Sequence, residues 1–464
     1  MTAGTASHPP KIFLETFGCQ MNVLDSEILL SRMERESYQA VDQPWQADLI
    51  CFNTCAVRDH AEARVRGRLG ELKRLKRERP HLIIAVVGCM AQREGASLLK
   101  QWPHVDIVCG PREVLRMPEL VSTVRRTMSP VLALGQDQPM RVLTELRRAP
   151  RSGQAYVSIM RGCDKYCSFC IVPKVRGVEQ SKPVSEVVAE VTQLVLLGAR
   201  DVTLLGQTVN SYGKRLGKDV TLASLLRELE RIDGLVRLRF ITSFPTLMSD
   251  ELIATMAASR KISRYLHLPV QSGSDAVLKA MRRGYTVAEY LAIAAKLKAV
   301  PGLELATDVI VGFPGETEAD FLATEALLRE LRFTQAFVFK YSPRPGTAAA
   351  ERLIDDVPES EKARRNRHLL KVQEAIQLEK NRARIGLREL VHVEGPSKKD
   401  PSRLTGRTDH FRIVHFAAPA GAAPGGGFAE VAIESATPLT LAGRFERAVP
   451  WQEVDARRAI AGTS

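Results

Sequence analysis

The chain has 464 residues, of which 45% are hydrophobic and 26% are charged. This composition excludes a chain that is disordered throughout, and the length favours about three domains over one. The 66 basic residues outnumber the 53 acidic ones, giving a formal net charge of +13, which favours a polyanionic partner, nucleic acid before a membrane surface.

The amino-terminal sequence and the apolar runs predict a cytoplasmic protein. The opening stretch, MTAGTASHPPKIFLETFG, lacks a basic segment followed by an apolar one, so we expect no secretory signal. The longest apolar runs, such as LIIAVVGCMA, have about half the length that a membrane span needs. In a reducing compartment, the eight cysteines are expected to bind metal, to act in catalysis or to be buried rather than to form disulfides.

Residues 10–140 are predicted to form a domain built on an open parallel sheet. Short apolar runs of strand length, namely KIFLETFGC, ADLICFNTC, LIIAVVGCM and VDIVCG, alternate with polar segments compatible with helices. This alternation is typical of a parallel sheet with helices on its faces. The pattern then gives way to a segment rich in Pro, Gly and charge, so we predict a linker near residues 140–152.

Residues 149–386 are predicted to form a partial (β/α)6 barrel related to the TIM barrel. The region contains six strand-like runs: AYVSIMRGC, DVTLLGQT, VRLRFITSFP, SRYLHLPVQS, LELATDVIVGFPG and QAFVFKYSPRPG. Helical segments such as SEVVAEVTQLVLLGA separate them, and a basic helix, residues 360–386, follows the last. In such a barrel the chemistry lies at the carboxyl ends of the strands.

Residues 387–450 are predicted to form a small all-β barrel, which completes an α/β protein of three domains. The runs RLTGRTDHFRIVHF and FAEVAIESATPLTLAGRF resemble strands separated by turn residues, and AAPAGAAPGGG is expected to be a flexible loop. Small barrels of this kind often hold oligonucleotides.

Three cysteines, Cys163, Cys167 and Cys170, lie within a span of eight residues after the first predicted barrel strand. Their CxxxCxxC spacing supplies one ligand fewer than a structural zinc site needs. Three thiolates can hold three corners of a [4Fe–4S] cluster and leave one iron open to a small chelating molecule. The alternative is a zinc site completed by a distant histidine.

Three further cysteines, Cys19, Cys55 and Cys89, each end a predicted strand of the first domain. Because the carboxyl ends of neighbouring parallel strands line one crevice, these thiols are expected to converge and to offer a second open cluster site. The alternative is that they are ordinary buried cysteines. Cys109 also ends a strand and competes for the crevice, whereas Cys51 lies inside a strand, where burial explains it.

The CxxxCxxC motif, with Phe169 before its last cysteine, resembles the signature of the radical S-adenosylmethionine (SAM) superfamily. The resemblance covers nearly the whole chain. FGCQMN, NTCAVRDHAE and VVGCMAQ resemble the amino-terminal domain of the methylthiotransferase family; GCDKYCSFCIVPKVRG, HLPVQSGSDAVLKAMRRGYT, TDVIVGFPGETEADF and FKYSPRPGT resemble its radical domain. GRTDHFRIVHF is similar to its TRAM domain, a β-barrel that binds RNA.

The resemblance implies two [4Fe–4S] clusters and two molecules of SAM per turnover. Cys163, Cys167 and Cys170 would hold the cluster that cleaves SAM to a 5′-deoxyadenosyl radical, and Cys19, Cys55 and Cys89 would hold an auxiliary cluster that handles sulfur. SAM contacts are expected from Phe169, Gly206 and Gln207, and RNA contacts from Arg403, Arg407 and Arg412. His267 is expected to support the site rather than to act as a ligand.

Within the family, NTCAVR, HLPVQSGS and YSPRPGT most resemble the MiaB type. That type adds a methylthio group to C2 of N6-isopentenyladenosine (N6-dimethylallyladenosine) at position 37 of tRNA, beside the anticodon. The implied partners are the anticodon stem-loop and a low-potential electron donor such as flavodoxin or ferredoxin, with a monomeric chain and no membrane. Other members modify threonylcarbamoyl-adenosine in tRNA or an aspartate of a ribosomal protein, and a non-enzymatic iron–sulfur RNA-binding regulator is a second alternative.

Overall fold

The computed structural model describes residues 8–56, 59–135, 152–419, 421–422 and 425–454. Their fold divides into two compact units. The first comprises the described residues up to 135 together with residues 161–164 and 171–180; the second comprises residues 152–160, 165–170 and the described residues from 181 onward. The linker predicted near residues 140–152 lies outside the described residues, except for residue 152.

The first unit contains a six-stranded parallel sheet. Its strands are β1 (Lys11–Thr16), β2 (Gln39–Ala40), β3 (Leu49–Thr54), β4 (Ile83–Gly88), β5 (Ile107–Cys109) and β6 (Val131–Ala133). Its helices are α1 (Gln20–Arg35), α2 (Asp59–Glu78), α3 (Cys89–Glu94), α4 (Ala96–Gln101), α5 (Met117–Thr127) and α6 (Val172–Arg176). The strand order is β2-β1-β3-β4-β5-β6, with every pair parallel, so the predicted open parallel sheet is confirmed.

The central strands β3 and β4 are buried along their whole length because helices cover both faces of the sheet. Alternate side chains enter two separate cores. Cys51 and Ala85 pack on one face, and Phe52 and Val86 pack on the other. This explains why LICFNT and IIAVVG are continuous apolar runs rather than alternating ones. The short strands β2 and β6 were not predicted because they have only two and three residues.

The second unit begins with the partial barrel. Its strands are β7 (Gln154–Ser158), β10 (Asp201–Leu205), β11 (Arg237–Phe240), β12 (Tyr265–His267), β13 (Glu304–Val311) and β14 (Gln335–Lys340), and the short strands β8 (Met160–Arg161) and β9 (Gln180–Ser181) form a two-stranded sheet. Its helices are α7 (Val184–Leu196), α8 (Leu222–Glu230), α9 (Asp250–Ala258), α10 (Asp275–Ala280), α11 (Val287–Lys298), α12 (Glu318–Leu331), α13 (Ala348–Arg352) and α14 (Glu359–Arg382).

The six long strands form two parallel sheets, ordered β11-β10-β7 and β12-β13-β14. A parallel bridge between Leu238 and Ile262 links the two sheets at β11 and β12. A large core of Val, Leu and Ile side chains lies between the strands and their helices, with Val309 and Phe321 among its fully buried members. The predicted partial barrel of six β/α units is therefore confirmed.

The carboxy-terminal strands form a closed five-stranded barrel. They are β15 (Arg388–Pro396), β16 (Leu404–Arg407), β17 (Ile413–Ala417), β18 (Phe428–Ala436) and β19 (Thr440–Val449), in the order β15-β16-β17-β19-β18. The pair β17 and β19 is parallel and the other pairs are antiparallel. The predicted small all-β barrel is confirmed, while residues 420, 423 and 424 of the expected flexible loop lie outside the described residues.

Buried charges join this barrel to the amino ends of the partial-barrel strands, within the second unit. Arg237, the first residue of β11, is fully buried, and its guanidinium lies 3.4 Å from Asp201 and 3.2 Å from Asp409. Arg412 pairs with Glu304 at 2.8 Å. Although burial alone would raise it, the pKa of Glu304 is held at about 2 by this partner. The connections explain why the two predicted domains belong to one compact unit.

His392 makes the stability of this unit dependent on pH. The side chain is 1% exposed, and burial lowers its pKa to about 4, an effect that Asp201 opposes and Arg237 and Arg239 reinforce. The unfolded chain, whose histidine has a pKa near 6.5, binds the extra proton first as the pH falls. The free energy of unfolding should therefore fall by about 2 kcal/mol between pH 7 and pH 5 from this residue alone. Urea titrations should show a shallower pH dependence for His392→Gln than for the wild type; equal slopes would contradict the assignment.

Candidate functional site

The register of the first sheet brings three predicted cluster ligands to one edge. β1, β3 and β4 are neighbours, Thr16 pairs with Asn53, and Thr54 pairs with Gly88. The chain after β1 therefore reaches Cys19 beside Cys55, which follows β3, and Cys89, which follows β4. Cys19 caps the start of α1, and Cys89 is the first residue of α3.

Tight packing at this edge depends on Gly18. Its φ of +124° lies in the region that favours glycine, and a Cβ there would lie 2.7 Å from the Cβ of Cys55. The Asn22 side-chain amide donates hydrogen bonds to the carbonyls of Phe17 and Thr54, at 2.8 and 3.0 Å, and thereby ties the turn after β1 to the end of β3. These contacts fix the backbone that carries Cys19 and Cys55.

Arg176 is a buried cation at the same edge, and it was not predicted from the sequence to be a site residue. It ends α6, in the segment 171–180 that belongs to the first unit, and its Nε donates to Sγ of Cys89 at 3.3 Å. Its Nη2 donates to Asn22 Oδ1 at 3.1 Å and to Asp25 Oδ2 at 2.9 Å. The sequence signal was the run CIVPKVRG, which continues directly from the last cysteine of the CxxxCxxC motif.

The Cys19 and Cys55 thiols lie close enough to Cys89 to affect its pKa. Burial raises the pKa of the Cys89 thiol to about 11; the Arg176 guanidinium opposes this rise, and the Cys19 and Cys55 thiols add to it. As the side chains stand, the described part of the chain holds no group of three His, Cys, Asp or Glu that could bind a metal ion. A single metal ion needs its ligands gathered around one point, whereas each thiolate of a [4Fe–4S] cluster binds a different iron.

Cys51 and Cys109 lie away from this edge. Both are fully buried in the apolar core on one face of the sheet, and burial raises the pKa of each thiol far above its ordinary value. Cys109 pairs with Val87, two residues before Cys89, so it lies further down the sheet than the predicted ligands. These positions favour structural roles for both residues.

Cys163 is held by the backbone of the segment after the motif, within the first unit. Its N–H donates to the carbonyl of Gly177 at 3.1 Å. Gly162 has a φ of +77°, and a Cβ there would lie 2.1 Å from the carbonyl oxygen of Val178. Only glycine therefore permits this close approach.

Cys167 and Cys170 lie on a loop that the second unit anchors through backbone contacts. The Ser168 N–H donates to the carbonyl of Met281 at 2.9 Å, its Oγ donates to the carbonyl of Ala280 at 2.8 Å, and the ring of Phe169 packs edge-on against Phe313 at 6.4 Å. Phe169 is half-buried.

A second buried arginine contacts this loop. Arg283 Nη1 donates to Sγ of Cys167 at 3.3 Å, Nε donates to the Tyr285 hydroxyl at 2.9 Å, and Nη2 donates to the carbonyl of Pro269 at 3.0 Å. Arg283 lies in the motif MRRGYT, and no role for it was predicted from the sequence. Each set of predicted ligands therefore contains one thiol that accepts an N–H bond from a buried arginine.

The predicted SAM residues Gly206 and Gln207 directly follow β10. A Cβ on Gly206 would lie 2.5 Å from Met160 Cγ, so the strand end is closely packed. Gln207 Oε1 is buried and has no hydrogen-bond partner among the described residues, which leaves an acceptor for a bound molecule. The Nε2–H of His267 donates to Asp308 Oδ1 at 3.0 Å, in keeping with a supporting role.

The three predicted RNA-binding arginines differ in their surroundings. Arg403 is half-buried and donates to the carbonyl of His415 at 3.2 Å. Arg407 pairs with Glu394 at 2.8 Å. Arg412 is only 8% exposed, and its guanidinium is engaged by Glu304 and other groups of the partial barrel, so an RNA contact there would break an existing ion pair.

Family models match both main regions of the chain. The uncharacterized protein family UPF0004 matches residues 11–110, and the Radical SAM superfamily matches residues 157–328. A radical SAM methyltransferase from Kitasatospora setae, TsrM, is similar in structure, with a TM-score of 0.56 and 17% identity over 73% of this chain and 75% of that one. The cobalamin-dependent radical SAM enzyme OxsB has a TM-score of 0.51 and 12% identity over 80% of this chain and 56% of that one. Fold, motif and superfamily match together define a radical SAM enzyme, a class that implies a [4Fe–4S] cluster and SAM.

Curated relatives cover almost the full chain. One from Syntrophotalea carbinolica is 47% identical over 87% of this chain and 93% of its own. Relatives from Carboxydothermus hydrogenoformans (45% identity, 87% and 92% coverage) and Nitrosomonas eutropha (43%, 94% and 98%) share its name, tRNA-2-methylthio-N(6)-dimethylallyladenosine synthase. The chain belongs to this family of radical SAM methylthiotransferases, as its motifs predicted. No helix among the described residues is long and apolar enough to cross a membrane.

Proposed function

We propose that the protein methylthiolates C2 of N6-isopentenyladenosine at position 37 of tRNA, beside the anticodon. The observation that carries the proposal is the 47% identity to a relative with this named activity over 93% of that relative's length. Two observations on the cysteines support it. Cys19, Cys55 and Cys89 follow neighbouring parallel strands, and Cys89 and Cys167 each accept an N–H bond from a buried arginine.

We further propose two [4Fe–4S] clusters, one on Cys163, Cys167 and Cys170 and one on Cys19, Cys55 and Cys89. The residues fit such groups, since thiolates need compensating positive charge when they are buried, and Arg283 and Arg176 donate to Cys167 and Cys89. When bound, the first cluster and SAM supply a primary alkyl radical able to take hydrogen from adenine C2, and two molecules of SAM serve each turnover.

The chain's own part is to hold and position these groups. Gly162 and Gly18 allow the backbone to approach closely beside the thiols, and the contacts of Ser168 fix the loop of Cys167. Gln207 Oε1 offers a buried acceptor for SAM, beside a strand end where Gly206 leaves no room for a side chain. Phe169 contributes an aromatic edge at the same loop.

The RNA would be held by the closed carboxy-terminal barrel. Its strand faces suit an anticodon loop, whose bases are already accessible, and basic residues there supply affinity rather than base choice. Arg403 and Arg407 are the proposed contacts, whereas Arg412 serves the RNA only if its ion pair with Glu304 opens. Domain boundaries at 10–140, 149–386 and 387–450, a flavodoxin or ferredoxin donor, a cytoplasmic location and a monomeric state complete the proposal.

Nucleoside mass spectrometry of tRNA from a deletion strain tests this function. We expect loss of the 2-methylthio group and accumulation of N6-isopentenyladenosine, with restoration by the plasmid-borne gene. Unchanged tRNA would overturn the proposal. Loss of the methylthio group from threonylcarbamoyl-adenosine in the same digest would instead reassign the substrate within the family, as would its loss from a ribosomal aspartate in a parallel peptide mass spectrum of ribosomal proteins.

A further inference from the structure

We infer that Arg176, restrained by Asp25, sets the reduction potential of the cluster held by Cys19, Cys55 and Cys89. The inference rests on the proposed auxiliary cluster and assigns Arg176 a positioning and electrostatic role, not contact with substrate.

The geometry directs the arginine at the thiols. Arg176 is 3% exposed, and its Nε donates to Cys89 Sγ at 3.3 Å. The other side of the guanidinium is fixed by Asp25, itself 3% exposed, at 2.9 Å, and by Asn22 at 3.1 Å. The Arg176 carbonyl accepts a hydrogen bond from Arg112 Nη2 at 2.7 Å, which holds the end of α6 in place. The cation therefore cannot turn away from Cys89 without breaking several buried contacts.

Buried cations and unsatisfied donors also point to an anionic occupant. Arg161 and Arg176 both interact with the buried carboxylate of Asp25, and Arg112 donates to the Arg176 carbonyl. The Nε of Arg161 and the Nη1 of Arg176 are buried and have no hydrogen-bond partner within the described residues. Three thiolates at this edge would bring negative charge to these unsatisfied donors, because a buried cation is stable only when it is paired and hydrogen-bonded.

A positive charge and an N–H bond beside a cluster sulfur both favour the reduced state, because reduction adds negative charge to the cluster. Cluster potentials depend on net charge, on hydrogen bonds to the sulfurs and on solvent exposure. Arg176 supplies the first two from a position that is 3% exposed. Asp25 opposes the effect of its charge, so the arginine and the aspartate should shift the potential in opposite directions.

The experiment measures the potential of the auxiliary cluster by EPR-monitored redox titration. The full chain carries Cys163, Cys167 and Cys170 replaced by alanine, so that a single cluster signal remains. In this background we expect Arg176→Gln to lower the reduced-to-oxidised ratio at a fixed potential about tenfold, equivalent to about 59 mV for one electron. Arg176→Lys should fall between Arg176→Gln and the parent protein.

Asp25→Asn provides the decisive comparison. It is nearly isosteric and retains an oxygen acceptor for Arg176, so folding should be preserved, and the potential should rise. Arg79→Gln is the matched control, since it removes one charge of an exposed pair with Asp48 at the opposite end of the sheet. It should leave the potential unchanged.

A purely structural role for Arg176 would not give shifts of opposite sign for Arg176→Gln and Asp25→Asn. Equal potentials in the parent protein and in Asp25→Asn would overturn the inference while leaving the proposed function intact, even if Arg176→Gln failed to fold. A parent protein that binds no iron would overturn the auxiliary cluster of the proposed function, and this inference with it.

Discussion

Cys167→Ala is expected to reduce 5′-deoxyadenosine formation to the level of a no-enzyme control and to abolish methylthiolation with it. The thiol is buried, accepts an N–H bond from Arg283 and belongs to a loop fixed by Ser168, so no neighbouring sulfur can replace it without moving that loop. Anaerobic reconstitution with a strong reductant, followed by chromatography of the nucleosides, measures the effect. Iron content should fall from two clusters to one.

The control for this experiment is Cys51→Ala. It removes a thiol of equal size from the apolar core of the first sheet, and Cys51 belongs to neither predicted ligand set. Cofactor cleavage should persist in this variant, with a modest loss of stability from the small cavity. Normal 5′-deoxyadenosine formation by Cys167→Ala would refute the assignment of the CxxxCxxC motif. No 5′-deoxyadenosine from the reconstituted wild type would instead favour the alternative of a regulator that does no radical chemistry.

The sequence predicted strands and their order of occurrence well, because backbone geometry sets the spacing of apolar residues along a strand. Strand-length apolar runs followed by polar segments predicted the open parallel sheet and the partial barrel. Cys55 and Cys89 directly follow two such runs, which predicted that both lie at the carboxyl edge of the first sheet. The parallel register Thr54 to Gly88 then places them side by side. Cys109 could be ranked only by resemblance, because the sequence does not say how far a strand extends past its neighbour.

Long-range side-chain partners were not predictable in the same way. Arg176 lies 87 positions from Cys89 in the chain, and its role depends on α6 joining the first unit rather than the second. Arg412 is a second example. Its place among the basic residues of a small β-barrel suggested an RNA contact, and the sequence did not predict its partner Glu304, which lies 108 positions earlier. The spacing of apolar residues predicts which face of a helix or strand is buried. It does not predict which distant side chain pairs with a buried arginine.

Cys55→Ala is expected to separate the two activities. Cofactor cleavage should continue at a reduced rate, because Cys163, Cys167 and Cys170 are untouched, while formation of the methylthio product should fall below detection. Cys55 follows Thr54 at the shared edge of β3 and β4, is 3% exposed, and approaches the turn at Gly18 closely. Its loss leaves two thiols for the auxiliary cluster, too few to hold three irons.

The assay for Cys55→Ala follows both products from one reaction with isopentenylated tRNA, 5′-deoxyadenosine by chromatography and the methylthio nucleoside by mass spectrometry. Cys109→Ala is the matched control, since it removes a buried thiol from the next cysteine-containing strand of the same sheet and should retain both products. Full product formation by Cys55→Ala would exclude the auxiliary assignment. Loss of methylthiolation in Cys109→Ala but not in Cys55→Ala would move the third ligand to β5. If only Cys55→Ala loses methylthiolation and still cleaves the cofactor, the thiols at the edge of β1, β3 and β4 are needed for a step after radical formation. This is the separation of roles that we propose for the two sets of cysteines.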